Sequence, residues 1–249
     1  MIFPGLLGLV CCVNFTWSLP VMPPHDHMHG VKMGVPSSGC DDGEHGIEID
    51  WDPRSMKESI CLSGEPQVYD QGRHADIQYI DRVEEPSLMM MHVCLDTPIV
   101  YNTSVPLSGD HRPLWPVFGE YRYLPPQRWV HSLEHGAVAL LYNPCTFNSR
   151  DIDVIKGVVR GCIWKHVITP YKHIPENMPY ALLTYGHMRL LNHFRGEVTQ
   201  QEVKLVTDFI KDTALRGPES AVLKDGQYSA GLLQPSDHSL DTRALCPDR

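Results

Sequence analysis

Apolar residues that recur every three or four positions predict three helices. Residues 151–160 carry such a stripe, behind Asn148 or Ser149, either of which can cap a helix. Residues 200–215 carry a second stripe, which follows a Thr-x-x-Glu capping box. Two prolines and a glycine delimit a short third helix at residues 126–135.

Shorter apolar runs predict the strands. Residues 88–95, 137–142 and 180–185 are continuous enough for buried strands, residues 162–169 alternate, and residues 78–83 suit a sheet edge. Strands and helices do not alternate regularly, so the pattern predicts a compact α+β domain rather than a doubly wound α/β fold. We expect a small, mostly antiparallel sheet with two or three helices.

The two ends of the chain differ from its middle. Residues 1–18 are apolar and end in small residues, which is typical of a secretory signal. Residues 19–60 form an extended arm rich in Pro, Gly and His, and residues 217–249 form an irregular tail. A single globular domain is therefore expected at residues 61–216, in the secretory lumen or outside the cell.

Composition and charge exclude two classes of partner. Hydrophobic residues make up 42% of the 249 positions and charged residues 20%, as in a globular protein. The formal charge is −9 and the 21 basic residues are scattered, which argues against nucleic-acid binding. After the signal, no segment is long and apolar enough to cross a membrane.

Cysteine usage agrees with export. Loss of the signal would take eight cysteines to six, an even number that predicts up to three disulfides with open pairing. No C-x-x-C spacing suggests a redox pair or a zinc knuckle. Asn102 begins a glycosylation sequon. The disulfide candidates are Cys40, Cys61, Cys94, Cys145, Cys162 and Cys246.

Candidate chemistry concentrates in residues 129–145, WVHSLEHGAVALLYNPC. On the predicted helix, His131 and His135 lie four apart on one face with Glu134 beside them. The His-x-x-Glu-His spacing is that of inverted zinc peptidases, in which the glutamate is the general base. The same residues suit a non-catalytic metal site with Glu134 as a ligand, or a buried hydrogen-bond network.

A metal site needs a further protein ligand. His111 is the nearest candidate, in an aromatic-rich loop just before the helix, followed by His187 and then Glu202. The implied cofactor is a divalent metal such as zinc.

The arm contains a separate histidine tract. His25, His27 and His29 alternate, so their rings would point to one side of an extended segment and could bind metal weakly. A solvated tail is the preferred interpretation, because nothing nearby in the sequence would orient the rings.

Three stretches, PLSGDH (106–111), HSLEHGAVALLYNPC (131–145) and LLTYGHMRLLNHF (182–194), resemble a family of unknown function found in bacteria and animals. The resemblance covers about residues 100–212. WPVFGEY (115–121) is similar to the animal branch, typified by tumour protein p53-inducible protein 13. The resemblance implies a growth-regulatory role without an established activity. Bacterial members generally have arginine where this chain has His187.

Two functions follow as hypotheses. The preferred one is a secreted or lumenal, disulfide-bonded binding module with a His/Glu site and an unknown protein partner. The alternative is a metal-dependent hydrolase that uses the His-x-x-Glu-His site. The short predicted helix and the absence of a downstream glutamate motif favour the binding role over an enzyme.

Overall fold

The computed structural model describes residues 25–26, 30–62, 78–86, 90–194, 199–239 and 244–247. The predicted signal and two of the three arm histidines, His27 and His29, lie outside these ranges. Three α-helices are present in the described part of the chain, all close to their predicted positions: α1 (Pro126–Glu134), α2 (Ser149–Cys162) and α3 (Gln200–Thr213).

Nine strands occur in the described ranges. A two-stranded antiparallel sheet comprises β1 (His25–Asp26) and β2 (Gly30–Val31). The other seven form one sheet in the order β3-β8-β7-β5-β6-β4-β9. They are β3 (Tyr79–Val83), β4 (Gly119–Tyr121), β5 (Val138–Tyr142), β6 (His166–Pro170), β7 (Tyr180–Thr184), β8 (His187–Leu191) and β9 (Leu232–Pro235).

The sheet is mixed, which corrects the expectation of a small, mostly antiparallel one. β6 runs parallel to both β5 and β4, whereas the other neighbouring pairs are antiparallel. The physical reason is α2, which carries the chain from the end of β5 back to the start of β6, as a parallel pair requires. The α+β class and the disulfide-bonded character are confirmed.

Both faces of the sheet are covered. In β5, Ala139 and Leu141 face the core that contains α1, whereas Val138 and Leu140 face the core beneath α2 and α3. This explains why β5 is apolar at every position rather than alternating. Of the three α-helices in the described ranges, α1 lies on one face of the sheet among ordered loops, and α2 and α3 lie on the other.

Buried ion pairs tie the N-terminal arm to these loops. Arg112 forms a bidentate pair with Asp50, and Arg128 on α1 forms another with Asp41. All four side chains are at most 2% exposed. The arm is thus part of the folded body from about residue 31 onward.

All six candidate cysteines are bridged. One disulfide links the arm to the segment after His92, one joins the residue that follows the arm to the turn after β5, and one links residues 244–247 to the end of α2. The pairs are Cys40–Cys94, Cys61–Cys145 and Cys162–Cys246.

One predicted strand is wrong over its described part. Residues 90–95 form a single bridge, His92 to His111, rather than a strand. The bridge is made because His111 accepts from Val93 and donates to Met91 through its backbone, while no second neighbour continues the ladder. Strands β4, β8 and β9 were not predicted, and β9 lies within the segment that the sequence assigns to a tail.

Candidate metal centre

α1 presents the central motif to the protein interior. Pro126 occupies the first turn, where its missing N–H costs nothing, and Gly136 ends the helix at φ +78°. His131, Glu134 and His135 are all essentially buried. The predicted helix-to-strand corner is therefore confirmed, with its polar side chains enclosed rather than solvated.

Two segments that precede α1 bring two more histidines, His92 and His111, to the same place. His111 bridges to His92, so the two segments run side by side. Ring centroids are 4.9 Å apart for His92 and His111, and 4.5 Å apart for His111 and His131. One ligand atom from each of the three rings lies within 4.8 Å of the other two.

Backbone carbonyls orient all three rings. The Nδ1 atoms of His92, His111 and His131 lie 2.7, 2.8 and 2.6 Å from carbonyl oxygens of Val31, Gly109 and Arg112, respectively. A carbonyl oxygen can only accept, so each Nδ1 carries the proton and donates it. In the neutral ring Nε2 is then the lone-pair nitrogen, which is the tautomer that a metal ligand needs.

The centre favours neutral imidazoles. Burial, with the neighbouring His111, His135 and His92, holds the pKa of His131 well below its usual value. The Nε2 of His131 has no hydrogen-bond partner among the described residues. A buried polar atom without a partner is costly, and an ion at this point would satisfy it.

Glu134 borders the three-histidine group. One of its carboxylate oxygens is 3.3 Å from Nε2 of His111. Burial and, secondarily, Glu219 raise the pKa of Glu134 to about 8. A protonated Glu134 can donate to His111 at neutral pH, and an incoming cation would favour its ionised form.

A second group of potential ligands adjoins the first. His131, His135 and Glu219 each offer an atom within 4.8 Å of the others. Nε2 of His135 is 3.5 Å from a Glu219 oxygen, and the Trp115 ring packs 4.2 Å from the His135 ring. Burial, with Lys165 and His92 nearby, lowers the pKa of His135 to about 3.

The structure brings together most of the sequence-predicted residues. His111, His131, Glu134 and His135 share one interior centre. His187 is in neither described group; it is half-buried on β8, where its Nδ1 contacts the carbonyl of Tyr185.

Glu202 is also elsewhere, because its carboxylate accepts from the backbone of Thr199 in the capping box of α3. Two residues of the centre were missed. His92 could have been noticed as a lone histidine inside an apolar run, whereas Glu219 has no distinguishing sequence pattern.

Three imidazoles at this spacing suit a transition metal. Zinc–nitrogen bonds of about 2 Å place tetrahedral ligands roughly 3.4 Å apart, so ligand atoms that lie within 4.8 Å of one another need to approach by at most about 1.4 Å. The group has nitrogen and oxygen donors, and all six cysteines within the described ranges are bridged and offer no thiolate. Such a donor set suits zinc, copper(II) or iron(II) more than copper(I).

A sequence model described as protein of unknown function (DUF3105) matches residues 92–226, more than half of the chain. The chain belongs to this family. The matched region begins at His92 and includes every residue of both ligand groups. Comparison with curated proteins and with solved structures gives no match. Among the described residues, no helix has the length and apolar character needed to span a membrane.

Proposed function

We propose that this protein is an exported metal-binding protein that holds one divalent transition-metal ion, with zinc the leading candidate, on Nε2 of His92, His111 and His131. The observation that carries the proposal is the shared tautomer of the three rings. Each Nδ1 donates to a backbone carbonyl, one in the arm (Val31) and two in the loop before α1 (Gly109 and Arg112). Carbonyl or carboxylate partners behind the ligating histidines are the usual support of a metal site.

The surroundings support ion binding as well. Three protein nitrogens leave a fourth position for water or for Glu134, whose oxygen already lies beside His111. Burial favours the neutral form of the His131 ring, which can bind an ion without losing a proton. The ion would bring α1 together with the loops that carry His92 and His111.

Export is the second part of the proposal. Three disulfides are consistent with an extracellular or secretory-pathway location. The apolar residues 1–18 fit a cleaved signal, and Asn102, which is exposed, fits a glycan acceptor. The resemblance to p53-inducible protein 13 supports a growth-regulatory role through an unidentified protein partner.

A metal-dependent hydrolase is the second candidate. The pKa of about 8 makes Glu134 suitable as a general base near neutral pH, provided that a bound water occupies the fourth position. This chemistry predicts that Glu134→Gln keeps the metal but loses turnover. The enclosed centre favours the holding role, because its histidines are at most 4% exposed and a substrate would have to reach them.

Zinc titration of the metal-free, disulfide-intact protein tests the proposal. We expect one ion per chain, and at least about a 100-fold weaker affinity in His92→Ala and His131→Ala. His187→Ala is the matched control, because it removes a histidine outside both groups and should bind like the wild type. Circular dichroism establishes that each variant is folded. Unchanged affinity in both folded variants, or no binding of zinc, copper(II) or iron(II) by the wild type, would overturn it.

A further inference from the structure

The geometry points to a second, outer metal site at His135 and Glu219 through which the ion passes on its way to the three-histidine site. His131 belongs to both sites and transfers the ion between them. This inference rests on the proposed function, since it describes how that ion is loaded.

His131 is a potential ligand of both sites. The two groups of potential ligands have one member in common, His131. Nδ1 of His131 is committed to the Arg112 carbonyl at 2.6 Å, so only Nε2 can bind an ion. One nitrogen lone pair serves one ion at a time, so the two groups describe alternative positions of a single ion rather than two filled sites.

The two positions of the ion differ in their exposure to solvent. His92, His111 and His131 are all buried, and none of them offers an ion a direct approach from solvent. The Glu219 side chain is 17% exposed, whereas that of His135, 3.5 Å away, is 1% exposed. A hydrated cation therefore meets a carboxylate first, then His135 and His131, and finally the inner rings. Oxygen ligands at the solvent end suit a partly hydrated ion, and imidazoles suit the dehydrated one.

The turn that carries Glu219 is held in place by a buried lysine and by a backbone hydrogen bond to α1. Lys165 is fully buried and donates to the carbonyls of His135, Ser220 and Val222, at 3.1, 2.8 and 2.6 Å. These hydrogen bonds fix the turn that contains Glu219 against the C-terminal end of α1. The backbone N–H of Glu219 also donates to the Glu134 carbonyl at 3.0 Å.

Close packing at Gly217 also holds this turn against α1. A Cβ at Gly217 would lie 2.2 Å from the Glu134 carbonyl oxygen, so no larger residue fits there without displacing backbone. The turn thus sits directly against α1. Glu219 is a positioned carboxylate beside His135 rather than a freely moving surface group.

Stopped-flow mixing of zinc with the metal-free protein tests the outer site. For Glu219→Gln we expect association to slow by about tenfold, because a carboxylate at the opening attracts the cation. Dissociation into excess chelator should slow by the same factor, since the ion leaves by the same route. The equilibrium affinity should stay within about threefold of the wild type, because the inner ligands are intact.

Glu176→Gln is the matched control, since it removes the same charge from an exposed position away from the centre and should leave both rates unchanged. Glu219→Ala serves as a second variant if the glutamine form does not fold. Unchanged rates in a folded Glu219 variant would overturn the outer site while leaving the inner one intact. A weaker affinity caused only by faster dissociation would also overturn it, because Glu219 would then be a ligand of the resting ion. Failure of the wild type to bind zinc would instead overturn the proposed function.

Discussion

Replacing Asp50 by Asn should weaken both the fold and the metal centre, although Asp50 touches no candidate ligand. Its carboxylate accepts from two nitrogens of Arg112, at 2.9 and 2.6 Å. The third nitrogen of Arg112 donates to carbonyls of Val93, Cys94 and Thr97. The same guanidinium thus fixes the segment after His92, while the Arg112 carbonyl orients His131.

The magnitude follows from burial. Both side chains of the pair are at most 2% exposed, so Asp50→Asn leaves a buried guanidinium without its counter-charge. Removing one partner of such a pair costs about 3 kcal/mol of unfolding free energy. Because Arg112 supports the carbonyl behind a ligand, zinc affinity should also fall by about tenfold.

Urea denaturation of the metal-free protein, followed by circular dichroism, measures the first effect. Asp52→Asn is the matched control, because its partner Arg54 is 81% exposed and solvent screens the pair, so the urea midpoint should stay close to that of the wild type. Equal midpoints for the Asp50 and Asp52 variants would refute the claim that the arm stabilises the centre through Arg112.

Three other predictions concern the whole molecule. Zinc at 100 times its dissociation constant should stabilise the fold by about 2.7 kcal/mol and raise Tm by roughly 5–10 °C in calorimetry, and an unchanged Tm would contradict binding to the native state. Replacing Cys162 and Cys246 together by Ser should cost about 2–4 kcal/mol, because the closed loop is long; an unchanged urea midpoint would contradict this. Burial lowers the pKa of His166 to about 4, so the unfolded chain binds its proton first as the pH falls. The free energy of unfolding should therefore fall by roughly 3 kcal/mol from this residue as the pH drops from about 6.5 to 4. In His166→Gln, the urea midpoint should depend less on pH across that range. Equal pH dependence of the midpoint in both proteins would refute this.

Local patterns predicted the helices well because their information is local. α1 is delimited by its own proline and glycine, and α3 by the Thr199–Glu202 capping box. The strand arrangement depends on distant partners. β9 pairs with β4 more than 100 residues earlier, and nothing within its four residues indicates that pairing.

In the metal centre, too, residues close in sequence could be predicted together, whereas residues brought in by distant segments could not. His131, Glu134 and His135 could be predicted together because a helix fixes their relative positions. His111 could be added to the predicted ligands because it lies close to them in sequence. His92 reaches the centre only through a single bridge between two loops, which the sequence does not indicate. His187 remains a prediction that lies in neither described ligand group, since β8 pairs it with Val83 on β3.

Arg112, Asp50 and Lys165 could not be assigned from sequence for a related reason. Charged residues are usually solvated, and a sequence does not show which of them are buried. In the fold, Lys165 and Arg112 each donate hydrogen bonds to three backbone carbonyls in segments outside the regular hydrogen-bond ladders. They therefore replace secondary structure in the part of the molecule that surrounds the metal centre.

X-ray absorption spectroscopy of the zinc-loaded protein tests the central claim most directly, since it reports the atoms bound to the ion. The account predicts a first shell of nitrogen and oxygen at about 2.0–2.1 Å, with the multiple-scattering pattern of three imidazoles and no sulfur at about 2.3 Å. His92→Ala should reduce the imidazole number by one. A first shell that contains sulfur, or one that has only oxygen and no imidazole, would contradict the three-histidine site.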